Sequence, residues 1–133
     1  MHLAHLMSQL HADLRLPPPQ AHAGGTFALR VERVTVDFRP LEGEDAFLMQ
    51  SFLGTVDLDD SETLAALLEA NQPMPGCARP VLGVDLDSRV FLTQRLEADE
   101  ELGWPSFKSQ LEAFVGCAQT WAERLGVLVE GHA

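Results

Sequence analysis

Ala46-Phe47-Leu48-Met49-Gln50-Ser51-Phe52-Leu53 is the stretch that decides the fold. In an extended chain successive side chains point to opposite sides, so Phe47, Met49 and Leu53 share one face while Leu48 and Phe52 share the other. A strand that is apolar on both faces belongs inside a sheet rather than at its edge. Upstream, Phe27, Leu29 and Val31 alternate with polar or small residues, and so do Val34, Val36 and Phe38. That period of two marks strands with one buried face. The link between these runs is short and fits either a hairpin or a kinked continuation. Residues 40–45 form a polar turn. Downstream, Val81-Leu82-Gly83-Val84 and Val90-Phe91-Leu92 flank the tight turn Asp85-Leu86-Asp87-Ser88.

Helical periodicity frames these strands. Leu3, Leu6, Met7, Leu10 and Leu14 make one apolar stripe, which predicts a first helix over residues 2–14. Pro17-Pro18-Pro19 ends it, and Gly24-Gly25 releases the chain into the first strand. Residues 57–61 supply the start of a second helix. Asp59 with Glu62 three residues on fits a capping box, Leu64, Leu67 and Leu68 form the stripe, and Pro73 and Pro75 stop it. Pro105 suits the first position of a third helix. Phe107, Leu111, Phe114, Val115, Ala118, Ala122 and Leu125 hold helical spacing behind it. Gly116, inside that helix, costs about 1 kcal/mol relative to Ala and points to close packing there. The expected order is α-β-β-β-α-β-β-α. It describes an α+β fold: a twisted, mainly antiparallel sheet packed by helices, in a single domain spanning residues 1–133.

Composition narrows the function. The 133 residues carry 20 acidic against 9 basic side chains, a formal net charge of -11. Phosphate backbones are bound through Lys and Arg, so nucleic acid and anionic membrane surfaces are poor partners. Negative charge also keeps a protein in solution while it exposes apolar patches. The N-terminus has no cationic segment or cleavage site and makes a poor signal peptide. No apolar run approaches the roughly 18 residues of a membrane span, and a cytoplasmic location is expected. Cys77 and Cys117 lie outside any metal or redox spacing and read as reduced thiols.

Chemical motifs are missing where catalysis would need them. His2, His5 and His11 fall on the first helix, with His22 beyond, but His2 and His5 are three apart and no ligand set is complete. Asp85-Leu86-Asp87-Ser88-Arg89 and Asp57-Leu58-Asp59-Asp60 lack the ligands, glycine and distal glutamate of a calcium loop, and read as turn and cap residues. There is no nucleophile elbow, no Cys–His pattern and no phosphate-cradling glycine loop. No catalytic residue, metal or cofactor is expected. What remains is apolar surface. Leu48, Phe52 and Phe91 point away from the main core, and three helices do not easily cover both faces of a five-stranded sheet. Part of that surface calls for a second subunit or a client.

The residues resemble a known family. Leu64-x-x-Leu67-Leu68-Glu69-Ala70-Asn71, the pair Val81-Leu82-Gly83-Val84-Asp85 and Val90-Phe91-Leu92-Thr93-Gln94-Arg95-Leu96, and Phe107-x3-Leu111-Glu112-x-Phe114-Val115 with Trp121-x-x-Arg124-Leu125 are similar to the second helix, last hairpin and closing helix of class I type III secretion chaperones, the Tir chaperone family. Gln72-Pro73 after Asn71, and a hairpin turn without glycine, depart from that pattern. The resemblance implies a bacterial cytoplasmic homodimer, without cofactor or metal, that holds the N-terminal segment of a secreted effector. It implies client contacts at Leu3, Leu6, Leu10, Phe27, Leu29, Val31 and Val36, and an available sheet edge could add a client strand. It implies a dimer interface at Leu64, Leu67, Leu68, Val84 and Phe91. Glu at Leu6 or Phe27 is expected to abolish capture and leave the dimer folded. The alternatives are a small dimeric α+β enzyme of the hot-dog thioesterase type, disfavoured because its long helix comes early in the chain, and an adaptor of the same fold outside secretion.

Overall fold

The computed structural model describes residues 2–71, 80–97 and 103–130. Helix α1 (His2–Asp13) leads through a 3-10 turn (Ala23–Gly25) into strands β1 (Phe27–Val31), β2 (Val34–Pro40) and β3 (Ala46–Thr55). Helix α2 (Ser61–Ala70), strands β4 (Val81–Val84) and β5 (Arg89–Glu97), and helix α3 (Trp104–Glu130) follow. The strands form one sheet in the order β1-β2-β3-β5-β4, with every neighbouring pair antiparallel. The two-face apolar run thus lies in the central strand, paired with β2 on one side and β5 on the other. The expected element order holds, and the longest helix is the last element.

Local chemistry explains the boundaries. Val31 pairs with Val34, so β1 and β2 form a hairpin closed by Glu32 and Arg33, with Glu32 at φ 57. α1 ends at Asp13, before the proline run. The Leu16 N–H donates to the His11 carbonyl and the Arg15 N–H to the Ala12 carbonyl, with Arg15 at φ 58. These are the bonds of a Schellman motif, with Arg15 in the position usually held by glycine. The expected stripe therefore stops at Leu10, and Leu14 is exposed. The N-cap of α2 is Asp60 rather than Asp59. Its carboxylate accepts from the Thr63 N–H at 3.0 Å and the Thr63 hydroxyl at 2.6 Å. Asp59 sits one residue early, and its own N–H donates to Asp57 Oδ1. Pro73, Pro75, Cys77, Asp99, Glu100 and Glu101 lie outside the described residues.

Burial is one-sided. Phe27, Leu29, Val34, Val36, Phe38, Phe47, Met49, Leu82, Val90, Leu92 and Leu96 form the covered face of the sheet. Leu3, Leu6, Met7 and Leu10 of α1 and Phe107, Leu111, Phe114, Val115, Ala118, Trp121 and Leu125 of α3 lie over it. The register sets this alternation, since a slip of one residue would turn every strand side chain to the wrong face. At the centre, Phe107 meets Phe38 at 6.1 Å, Phe47 at 6.0 Å and Trp104 at 6.0 Å between ring centroids. All three phenylalanines are fully buried. Phe107→Ala should lower the unfolding free energy by about 3–5 kcal/mol, the usual cost of emptying a core aromatic site. Denaturant titration of the variant measures it, and a loss below about 1 kcal/mol would contradict the central position of this ring.

Candidate functional site

Two surfaces stand out. The first is the face of the sheet away from α1 and α3, with the α2–β4 end of the molecule. Phe52 and Phe91 are register partners on that face, with ring centroids 5.5 Å apart, and Phe52 is 54% exposed. Arg89 lies over the Phe91 ring at 5.8 Å. A register shift between Phe52 and Gly54, with Gly54 at φ 140, ends the regular pairing beside them. Further along the strands the face becomes polar, with Gln50 donating to Thr93 across the register. On α2, Leu67 is buried while Leu64 and Leu68 are exposed, Leu68 at 65%. Val81, Val84 and Leu86 add to the exposed apolar residues on β4 and its turn.

That turn is built to hold its shape. Asp85 Oδ1 accepts from the Asp87 and Arg89 N–H groups, and Asp85 Oδ2 accepts from Arg89 Nε at 2.7 Å. Desolvation works to raise the Asp85 carboxyl, but these hydrogen bonds and the Arg89 charge outweigh it and hold it below the usual value. Leu86 projects from the turn fully exposed.

Asn71 connects α2 to the sheet. Its Nδ2 donates to the Leu82 carbonyl at 2.6 Å, and its Oδ1 accepts from the Leu82 N–H at 2.8 Å. One side-chain amide thus does for the β4 edge what a neighbouring strand would do, and it blunts that edge against strand addition. At the opposite edge, antiparallel alternation turns the Ala28 and Arg30 main-chain groups outward, with no partner among the described residues.

The second surface is a groove of about 420 Å³ where α1 and α3 diverge beside the β1–β2 turn. Leu10, Leu14, Val31, Leu111 and Val115 give it an apolar lining. Asp13, Glu32, Glu112 and Lys108 stand around it, with Lys108 paired to Asp13 at 3.2 Å. Gln119 donates to Glu32 and ties α3 to the turn. Gly116 also lines the groove, and a Cβ built there meets nothing within 4 Å. The close packing expected at Gly116 is absent, because α3 turns that residue into the groove rather than toward another element.

The residues expected to hold a client are placed mostly inside. Leu3, Leu6, Leu10, Phe27, Leu29 and Val36 are buried in the chain's own core, and Val31 is half-buried beside it. Only Leu10 and Val31 among them reach the groove. Glu at Leu6 or Phe27 would place an unpaired carboxylate in that core, so those changes would unfold the chain rather than leave it intact. Of the residues expected at a dimer interface, Leu64, Leu68 and Val84 are exposed, Phe91 is half-buried and Leu67 belongs to the core. Sequence reasoning missed the groove, Asn71 and Leu86. Asn71 carried a readable signal, as a polar residue just past an apolar helix stripe. Among the described residues no group of three or more His, Cys, Asp or Glu is arranged to hold a metal ion, and no helix is long and apolar enough to cross a membrane. Cys117 is half-buried against the core.

Comparison with known proteins places this geometry. The sequence matches the Tir chaperone protein (CesT) family over residues 5–122, and the chain belongs to that family. No curated protein matches it at the sequence level. Among solved structures, the fold is similar to that in the ExsC–ExsE complex, at 19% identity and a TM-score of 0.77, covering 92% of each chain. It is similar to the Yersinia pestis type III secretion chaperone SycH in complex with a stable fragment of YscM2, at 18% identity and a TM-score of 0.71, over 90% of this chain and 98% of that one. It is also similar to the heterodimeric ExoU–SpcU complex from the type III secretion system of Pseudomonas aeruginosa, at 19% identity and a TM-score of 0.68, over 90% and 97%.

The Asn71 clamp generates a prediction. Asn71→Ala removes both bonds to Leu82 and should cost about 1–3 kcal/mol. Asn71→Asp should also destabilise the chain, because a carboxylate accepts from the N–H but repels the carbonyl. Hydrogen exchange at the Leu82 amide reads both effects, and unchanged protection in Asn71→Ala would contradict the clamp.

Proposed function

We propose that this chain is a type III secretion chaperone. It works in the bacterial cytoplasm as a homodimer of single domains, binds the N-terminal segment of a secreted effector, keeps that effector competent for export, and performs no catalysis. What supports this most is the family match over residues 5–122, on a fold shared with a type III secretion chaperone solved in complex with a fragment of another protein.

The surfaces divide the work. Leu64, Leu68, Val84 and the Phe52–Phe91 pair leave large apolar side chains in water at the α2–β4–β5 end. A second copy covering them would remove that cost, which makes this end the self-association surface. The β4 edge is occupied by Asn71, whereas β1 offers unpaired main-chain groups at Ala28 and Arg30. A client strand is therefore best accepted at β1, with its side chains settling beside α1 and α3. The strong negative charge keeps such a surface soluble before the client arrives.

Leu68→Glu should convert the dimer to a monomer without unfolding it, because Leu68 is exposed in the protomer. Sedimentation velocity with circular dichroism checks both halves of the statement. A Leu68→Glu protein that stays dimeric would place the interface elsewhere. Affinity purification from the secreting host tests the function itself. Recovery of a secreted protein bound through its N-terminal region is expected, and recovery of no such protein would remove the chaperone reading.

A further inference from the structure

The groove between α1 and α3 carries information about what kind of segment it takes. Its lining is apolar, yet its surroundings carry three carboxylates, Asp13, Glu32 and Glu112, against one ammonium group, Lys108. Lys108 is committed to Asp13. One oxygen of Glu32 accepts from Gln119, and no cation pairs with Glu32 or Glu112 in the described residues. Beyond the Gln119–Glu32 link the surface continues into a second depression of about 460 Å³, where Glu123 adds a further carboxylate and Arg33 a cation.

Gly116 is the second observation. In the interior of a 27-residue helix a glycine weakens the element, and here no neighbour requires it, since a Cβ would meet nothing within 4 Å. Its remaining effect is to leave the groove open at the point where α3 backbone forms its wall. A residue that costs helix stability and relieves no clash inside the chain makes sense if something outside the chain fills that space.

We propose that this groove is the recognition site for an extended client segment that presents a bulky aliphatic side chain flanked by Arg or Lys. The aliphatic group fills the space over Gly116 against Leu111 and Val115, and the flanking cations face Glu32 and Glu112. The inference rests on the chaperone reading above and adds the chemistry of the client. It also separates the client groove from the α2–β4–β5 end, so that one can be altered without the other.

Three variants of the full chain test it: Gly116→Ala, Gly116→Leu, and the double variant Glu32→Gln with Glu112→Gln. The probes are two synthetic peptides with the same leucine and isoleucine anchors, one flanked by Arg and one by Glu. Fluorescence anisotropy gives affinities, and amide chemical shifts locate the contact. The Arg-flanked peptide should bind and perturb residues around Gly116, while the Glu-flanked peptide should bind at least about tenfold more weakly. That affinity should fall about tenfold in the double variant, and it should fall at high salt, because exposed charges are screened. Gly116→Ala and Gly116→Leu should both raise the thermal midpoint. Gly116→Leu should reduce binding at least about tenfold, so that stability and binding move in opposite directions. Equal binding of the two peptides, no binding of either, shifts confined to α2 and β4, or unchanged affinity in Gly116→Leu would each overturn the proposal. Failure here is distinguishable from failure of the chaperone reading. A Gly116→Leu chain that still captures its secreted partner from cells sinks the groove alone, whereas a wild-type chain that captures none sinks the chaperone role.

Discussion

The packing of Phe107 against Phe38 and Phe47 is the interaction on which the rest of the structure depends. It docks the start of α3 onto β2 and the central strand β3 and orients the helix, about 40 Å long, across one face of the sheet. Helix α1 then completes the same layer, so both long helices are spent on one side. The other side is left with the Phe52–Phe91 pair, and α2 is left at the β4 end with two of its three stripe leucines in water. A chain built this way has exposed apolar surface as a consequence of its topology, not as an accident of individual residues.

The two surfaces therefore differ in kind. At the α2–β4–β5 end, the exposed groups are large apolar side chains on regular elements, held in register by the Asn71 amide and the Asp85 turn. Rigid, preformed apolar surface of this sort suits a permanent partner, since little ordering entropy is lost on association. Between α1 and α3 the surface is a groove with carboxylates around it, which on the reading proposed above would take a chain that arrives unfolded. Such a client loses conformational entropy on binding, so contacts must be spread over a long path. The net charge of -11 would favour a basic segment over an acidic one on the reading proposed above.

Much of the fold was readable because strands and helices impose different periods. Phe27 to Phe38 alternated cleanly, the Ala46 stretch was apolar on both faces, and α3 kept its spacing from Phe107 to Leu125; each of these became the expected element. The errors arose where tertiary context decides. Asp59 and Asp60 are chemically interchangeable as caps, and only the helix start at Ser61 selects Asp60. Leu14 continued the α1 stripe in sequence, but the Schellman turn at Arg15 ends the helix before it can be buried. Leu3, Leu6, Phe27 and Val36 carried the right chemistry for either a core or a client pocket. Periodicity identifies a buried face without stating what buries it, and here α1 and α3 do so. Gly116 read as a close approach because glycine in a helix has more than one explanation, and only the three-dimensional surroundings show that its space is empty.

Native mass spectrometry of the complex captured from secreting cells addresses the central claim most directly, because it counts chains. Two copies of this protein bound to one secreted protein are expected, with the pair of copies surviving after the client is displaced. A single copy with no associated protein, from cells that are actively secreting, would contradict both the self-association and the chaperone role.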